Sequence, residues 1–548
     1  MILPEKHDRR RELAVEVGRQ CLASRDTRAA YNMECRQWYV AGAQTGERAI
    51  YNKLKTHVRQ SAAYLYQSES ARFWLTTPTR YGDAFAEELD VARDDFHRLW
   101  HDSNAGLTIA TGVRWAHVYP SVVFKVTAQG RMPCVSLVPN TADIGVFEED
   151  RPFNRQEAYT HCFYLNMAQF RRLIAGHPRA DQLMRKAIAW SDLGTGNEIT
   201  GGVAPMMVFD NVGAPLEGGG ALVQGPSRSD AMIDTPRILC CEVWVVDDRL
   251  HDWRVFTALA PDGNVADIIW DRRTPGLSGV DPFVQLSLDD PPDYTWGFSE
   301  VDDLSGLQSW RERRMEQIDQ LMVLQLDPPI VLGGFGGLSD ERAKRLREPG
   351  GTLSTSIPNP TVHRNAPQMP TEAFGEIDAI DKQFADQGGL PILFSGQGEP
   401  GIRAGNQVGV LATLASARIR EMAMRVEHAV SEVATLTWRY HRLLEDEPLR
   451  KPDGSRFYLT QLPRETTVLV AAHSASPLYA AAIKAEADNM RKQGAIGLED
   501  YVTMKDPPGV DVLRAKARKI EQNRAAQADR LMKLREVAAL HGRGGSTR

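Results

Sequence analysis

Residues 301–326 read VDDLSGLQSWRERRMEQIDQLMVLQL, and residues 371–387 read TEAFGEIDAIDKQFADQ. The first run predicts a helix of about 24 residues, ~36 Å long. It is closed by Asp327-Pro328-Pro329, since proline cannot continue a helix. Leu304, Leu307, Met315, Ile318, Leu321, Met322 and Leu324 give it one apolar seam, with Trp310 nearby. Arg311, Glu312, Arg313, Arg314, Glu316 and Asp319 fill the other faces. The second run carries Phe374, Ile377, Ile380 and Phe384 as a single stripe. Its other face is largely acidic: Glu372, Glu376, Asp378, Asp381, Lys382 and Asp386. Two one-stripe helices fit an antiparallel pair. A long polar rod with one seam is either a surface helix of a globular domain or a helix whose other faces meet identical copies.

Between the helices, an apolar strand at Ile330–Leu332, a basic turn (Arg342, Lys344, Arg345, Arg347) and a strand-like piece at 352–357 make a small α/β insert. It is too small to bury a core alone. A Gly/Pro loop follows at 388–406, around Leu393-Phe394 and Arg403; loops this long are functional or disordered. Residues 407–445 then read as a long helix with apolar residues around much of its circumference, hence largely buried.

Working outward, residues 1–70 read as amphipathic helix, at 11–23 and 48–66. In the latter Tyr51, Leu54, Val58, Ala62 and Leu65 share a face. Thr77-Pro78-Thr79 breaks the pattern, and 83–101 resumes it. From Gly106 the period shortens. Runs 121–126 and 134–138 flank a polar Gly-containing turn as a hairpin. Residues 141–146 continue extended, and a strand at 158–165 leads into helices from Met167 to about Gly176 and at 179–190. Strands are expected at 238–246 and 253–259 about a turn at 247–249, then at 264–270, and the segment from 282 to 299 closes an α+β lobe. Residues 194–228 are dense in Gly and Pro but hold no GxxxxGK[ST] and no GxGxxG between strand and helix, so they read as a surface loop. Two helices are expected near the end, at 478–493 and 510–540, before a disordered tail at 542–548.

A formal net charge of −6 argues against binding nucleic acid by wholesale phosphate neutralisation. The six cysteines are scattered with no CxxC pair, as in a reducing cytosol, and Cys240-Cys241 read as buried free thiols. Asp247, Asp248 and Asp252 read as turn formers rather than metal ligands. The N-terminal run lacks the apolar core of a secretion signal, and no apolar run approaches the ~18 residues of a membrane span. The expectation is therefore a protein made in the cytoplasm, with no membrane association, no metal and no cofactor.

The order of parts over roughly residues 43–535 resembles the portal proteins, or head–tail connectors, of tailed double-stranded-DNA bacteriophages. The resemblance is carried by Pro120-Ser121-Val122-Val123-Phe124-Lys125-Val126 and the hairpin after it, by Cys241-Glu242-Val243-Trp244-Val245-Val246-Asp247-Asp248, and by Trp296-Gly297-Phe298-Ser299 before the first long helix. The Gly/Pro loop before the long helix, Thr466-Thr467-Val468-Leu469-Val470, Ser476-Pro477-Leu478 and Gly494-Ala495-Ile496-Gly497-Leu498-Glu499-Asp500 complete it. It implies an α+β portal fold: an α/β wing (1–300), stem helices (301–326 and 371–387), a small α/β clip (327–370), a tunnel loop (388–406), a long kinked helix with wing return (407–475) and a helical crown with a disordered tail (476–548).

The same resemblance implies a homo-oligomeric ring, of twelve copies in the family, that conducts double-stranded DNA during packaging and ejection. The ring sits at a capsid vertex of the virion, after assembly in the host cytoplasm. Its partners would be the large terminase subunit, a head–tail adaptor, the major capsid protein and a scaffolding protein. Lys382 on the stem and Gln397, Arg403 and Asn406 in the tunnel loop would face DNA, and Arg514, Arg518 and Lys519 would form a basic crown face. Acidic stem residues Glu376, Asp378 and Asp381 would let DNA slide. Two other classes stand beside this reading: an oligomeric scaffold or adaptor of another kind, distinguished by its oligomeric state, and a DNA-processing enzyme or ATPase, for which no Walker loop or Cys/His metal cluster is present.

Overall fold

The computed structural model describes residues 3–41, 52–66, 71–81, 84–129, 132–193, 237–247, 252–261, 265–273, 282–328, 330–332, 362–364, 372–389, 417–451, 453–470 and 487–505, with single positions between 513 and 532. The described chain mixes helices with antiparallel sheets, consistent with an α+β fold. In order it runs α1 (His7–Cys21), α2 (Arg25–Ala41), α3 (Lys53–Leu65), β1 (Phe73–Thr76), α4 (Ala86–Asp102), α5 (Ala105–Ala116), β2 (Val122–Gln129), β3 (Met132–Leu137), β4 (Ile144–Val146) and β5 (Ala158–Asn166). Then come α6 (Met167–Leu173), α7 (Ala180–Leu193), β6 (Arg237–Asp247), β7 (Asp252–Leu259), β8 (Asp267–Arg273), β9 (Phe283–Leu286), α8 (Glu300–Leu326), β10 (Ile330–Leu332), β11 (Val362–Arg364) and α9 (Glu372–Gly388). The last are α10 (Ala417–Leu444), β12 (Leu449–Arg450), β13 (Arg456–Phe457), β14 (Thr467–Val470) and α11 (Leu498–Lys505).

Alternation along the strands decides which face meets which helix. In the antiparallel five-stranded sheet β4-β5-β6-β7-β8, Cys241, Val243 and Val245 pack with Val17 and Cys21 of α1. Cys240 and Ile238 pack with α6 and α7, and Trp244 packs with Phe283 and Trp296. The two adjacent cysteines are fully buried and free, and burial pushes the Cys240 thiol up to about 12. A second sheet, β3-β2-β9, sets Phe124 opposite Leu137 on one side and Val284 on the other. α5 and α10 pack against it in the largest hydrophobic core.

Where the shortening period from Gly106 predicts extended chain, the structure has helix α5. Ile109, Gly112, Val113 and Ala116 are its buried positions, at i, i+3, i+4 and i+7, a helical stripe. Its β-branched residues disguise that stripe, and burial against β2 and β3 overrides their propensity.

Helix α10 runs unbroken for 28 residues, its buried residues spread widely around it (Met422, Ala423, Val426, Val430, Val433, Trp438), as its composition predicts. Its hydroxyls also close the edge of β14, residues far on in sequence that pair with β1 (Phe73↔Val470). Ser431 Oγ accepts from the Val470 N–H at 3.1 Å, and Thr435 Oγ1 accepts from the Val468 N–H at 3.0 Å. An open strand edge is thereby covered.

Candidate functional site at the root and flank of the helical hairpin

Helices α8 and α9 form the expected antiparallel pair. Arg311 Nε lies 2.8 Å from Asp381 Oδ1, and Arg314 Nε lies 2.9 Å from Glu376 Oε1, so the pairs run in opposite directions along the two helices. Lys53 Nζ of α3 adds a second cation 3.6 Å from Asp381. Two of the three acids expected to face DNA thus bind the partner helix instead, because the arginines beside the α8 seam sit over that side of α9. Asp378 stays exposed, with Glu372, Lys382 and Asp386. Asp378, Lys382 and Asp386 fall at i, i+4 and i+8, one side of the helix.

The seam of α8 also differs in phase from the sequence expectation. Its buried residues are Glu300, Val301, Leu304, Gln308, Glu312 and Ile318, so the inward stripe near the body is partly polar. Gln308 Oε1 accepts from the N–H groups of Lys53 and Leu54, at 3.0 and 3.2 Å. These are open donors at the start of α3, where the Asn52 side chain accepts from Lys55 N–H. Gln308 Nε2 in turn donates to Glu312. A buried glutamine here serves another helix.

The root of the hairpin is a buried carboxylate between two imidazoles. Ser299 caps α8, accepting from Val301 N–H at 3.1 Å and donating to Val118 O at 2.6 Å. Glu300, next along, lies 2.6 Å from His117 Nδ1 and 3.2 Å from His57 Nε2, all three buried. Burial pushes the Glu300 carboxyl up, but attraction to His117 and hydrogen bonds with both imidazoles outweigh it and hold the group well below the usual carboxylate range. Phe384 packs edge-on to His57, with ring centroids 5.8 Å apart. The backbone of Gly388 closes over the same imidazole: a Cβ there would lie 2.1 Å from His57 Cε1. Arg418, at the start of α10, ties the three helix ends together. Its Nη1 donates to Gln387 O, and its Nη2 lies 3.0 Å from Asp303 and 4.0 Å from Glu300.

Away from the root the covering stops. Met315, Ile318, Met322 and Leu326 follow one line at i, i+3, i+7 and i+11, but after Ile318 no α8 residue is buried. Met322, Val323 and Leu326 are exposed there, Trp310 is exposed on the opposite side of α8, and Phe374 is exposed on α9.

Of the residues singled out in sequence, Lys382 sits on the exposed side of α9, and Lys519 is exposed on a helical segment. Gln397, Arg403, Asn406, Arg514 and Arg518 lie outside the described residues, as do 390–416, most of the 327–370 insert and the 194–228 loop. The described strands β10 and β11 of that insert pair antiparallel, Val331 opposite His363. His57, His117 and Glu300 escape sequence reading because 183 and 243 residues separate the partners. Gln308 and Glu312 did leave a signal: a polar i, i+4 pair continuing the line of Leu304. Among the described residues, no group of three or more His, Cys, Asp or Glu is arranged to hold a metal ion, and no helix is long and apolar enough to cross a membrane. No protein-family model matches the chain, and no curated protein matches it significantly.

Proposed function

We propose that this chain is a portal, or head–tail connector: copies assemble into a ring whose hairpins surround an axial channel for double-stranded DNA. The observation that carries the reading is the uncovered apolar surface of a firmly rooted hairpin, Met322, Val323, Leu326 and Trp310 on α8 with Phe374 on α9. A domain that works alone leaves scattered apolar residues at its surface, but Met322, Val323 and Leu326 gathered at one end of α8, with Trp310 exposed on the other side, call for neighbours on both sides. Identical copies supply them at every position around a closed ring. The root supports the same reading, since a stave must hold its angle to the body, and the Glu300–His57–His117 contacts with the Gln308 cap fix that angle.

DNA carries about one charge per 1.7 Å of axis, so a channel wall must repel or hold it only weakly. The exposed line Asp378, Lys382, Asp386 has one cation between two acids, which supports a sliding wall over a binding one. On this reading α8 and α9 are the stem, β10 and β11 belong to the clip, and α10 crosses the wing. The ring docks the terminase large subunit during packaging and an adaptor afterwards. Mass photometry and negative-stain images of the purified chain are the test. A closed annulus with an axial hole, near twelve copies, is expected. A monomer or dimer at micromolar concentration refutes the proposal.

A further inference from the structure

We infer that the C-terminal end of α10 and the turn facing it form a binding site for a dianionic oxyanion of the phosphate class. The inference does not depend on the ring. Thr435, Arg439 and Arg442 fall at i, i+4 and i+7, on one face of α10. Both ends of that face hold the segment that leads into β14. Thr435 Oγ1 accepts from Val468 N–H at 3.0 Å and donates to Val468 O at 3.2 Å. Arg442 Nε donates to Leu459 O at 3.2 Å, and its Nη2 donates to Thr460 O at 3.0 Å. Arg439 lies between these anchors, on the side of α10 that meets residues 459–468.

Arg439 is half-buried, yet among the described residues it has no hydrogen bond or ion pair, and its guanidinium stays open to solvent. No acid acts on it: burial alone pushes it down from the ordinary arginine value. The nearest acids along α10 bond elsewhere, Glu432 to His428 at 3.4 Å and Glu445 to the Glu447 N–H at 2.9 Å. Across from it, Arg464 is exposed in the turn and close enough to Arg442 that burial and then its charge push the Arg442 guanidinium down, with Glu465 opposing them. Glu465 already takes Arg80, and the Tyr81 hydroxyl donates to it at 3.3 Å. The dipole of α10 favours cations at this end, but it does not explain half-burying one without a partner. The charge count then selects the ligand. Glu465 answers Arg80, and two carbonyls hold Arg442, while Arg439 and Arg464 are left without a counter-charge among the described residues. A dianion matches both, whereas a monocarboxylate leaves one unmatched. Guanidinium forks also present paired N–H groups to the oxygens of a phosphate.

Both a free anion and a phosphate within a nucleic-acid backbone offer this chemistry. The test titrates inorganic phosphate into the full chain by calorimetry at about pH 8 and constant ionic strength. Alongside run sulfate, acetate and a thymidine octanucleotide without a terminal phosphate. Expected is saturable binding of one phosphate per chain, with sulfate comparable and acetate roughly tenfold weaker or more. Arg439→Gln and Arg464→Gln should each weaken phosphate roughly tenfold or more, the loss of one charge-assisted contact. Arg114→Gln, an equal loss of charge on the exposed side of α5, should leave binding unchanged. Arg464→Gln, at an exposed position, keeps the thermal midpoint of the parent and serves alone if Arg439→Gln does not fold. Octanucleotide binding that competes with phosphate and falls with Arg464→Gln assigns the site to a nucleic-acid backbone; absence of competition assigns it to a free anion. Absence of saturation, acetate as tight as phosphate, binding indifferent to Arg464→Gln, or an equal loss in Arg114→Gln overturns the inference.

Discussion

Placing glutamate at both 322 and 326 should dismantle the ring and leave the subunit intact. Leu326 is 83% exposed, Phe374 52%, Met322 46%, Trp310 40% and Val323 39%. At about 2 kcal/mol for complete burial of each large apolar side chain, covering the exposed fractions gives about 5 kcal/mol per contact between copies, and Leu326 with Met322 supplies about half of it. Losing that half is worth roughly a hundredfold in a contact's affinity, since about 1.4 kcal/mol is tenfold. Two buried carboxylates would add to the loss. Association itself costs on the order of 4–15 kcal/mol, so in the proposed ring the hairpin surface would contribute to assembly without being its only source. In the isolated subunit both residues already face solvent, and its unfolding free energy should stay within about 0.5 kcal/mol of the parent. Sedimentation velocity over a hundredfold concentration range, paired with urea unfolding, reads both quantities. An unchanged ring in M322E/L326E, or a subunit destabilised by several kcal/mol, refutes the assignment of these residues to a contact between copies.

Gly388→Ala should cost about 1–3 kcal/mol through overpacking on His57, whereas Gly375→Ala, whose new methyl meets nothing within 4 Å, should stabilise the subunit by about 0.5–1 kcal/mol; urea midpoints decide. Glu300→Gln should flatten the acid limb of stability. Because the folded-state pKa of Glu300 is depressed, its contribution is complete above the unfolded value of about 4.3 and is lost as pH falls toward the folded one, so the gap between parent and variant should narrow below about pH 4. A gap constant between pH 7 and 3 rejects that account. Gln308→Leu, similar in volume, removes the acceptor shared by Lys53 and Leu54 N–H and should cost about 1–3 kcal/mol despite its greater apolarity; a neutral result would show that the cap carries no weight.

Strong periodicity and proline or glycine punctuation made most elements legible. The α8 helix ends at the expected Leu326, α9 lies within one residue of its expected span, and the β2–β3 and β6–β7 hairpins pair as alternation requires. Helix α5 was hidden by β-branched residues at 108, 109, 111 and 113. The α8 seam differs in phase from its leucines and methionines, because not every leucine or methionine on this helix faces inward. The inward line is set near the body by what α3 needs, namely an acceptor for its first N–H groups. No counting of apolar residues finds that, because the demand comes from a helix whose first N–H groups lie 255 and 254 residues away. The acids of α9 carry the same lesson: their charge is readable in sequence, but which of them meet arginine depends on the rotation of α8.

Along α8, part of the buried stripe is polar and part of the exposed surface is apolar. Gln308 and Glu312 are buried while Met322 and Leu326, on the continuation of the same line, are exposed. In a chain that works alone this arrangement loses twice, desolvating polar groups and hydrating apolar ones. It becomes economical when the two halves answer to different partners. Hydrogen bonds are directional, so the polar half fixes rotation and height of the helix against its own body. Apolar contact is non-directional and scales with area, which suits the half that must meet many equivalent neighbours. In the proposed ring, the subunit would order its hairpin before any copy arrives, and assembly would lose little to ordering at the moment of contact. A subunit trapped as a monomer by M322E/L326E should then still protect the α8 amides near Gln308 from hydrogen exchange as the assembled form does. Loss of that protection in the monomer would mean that the copies build the hairpin, and that the root alone does not hold it.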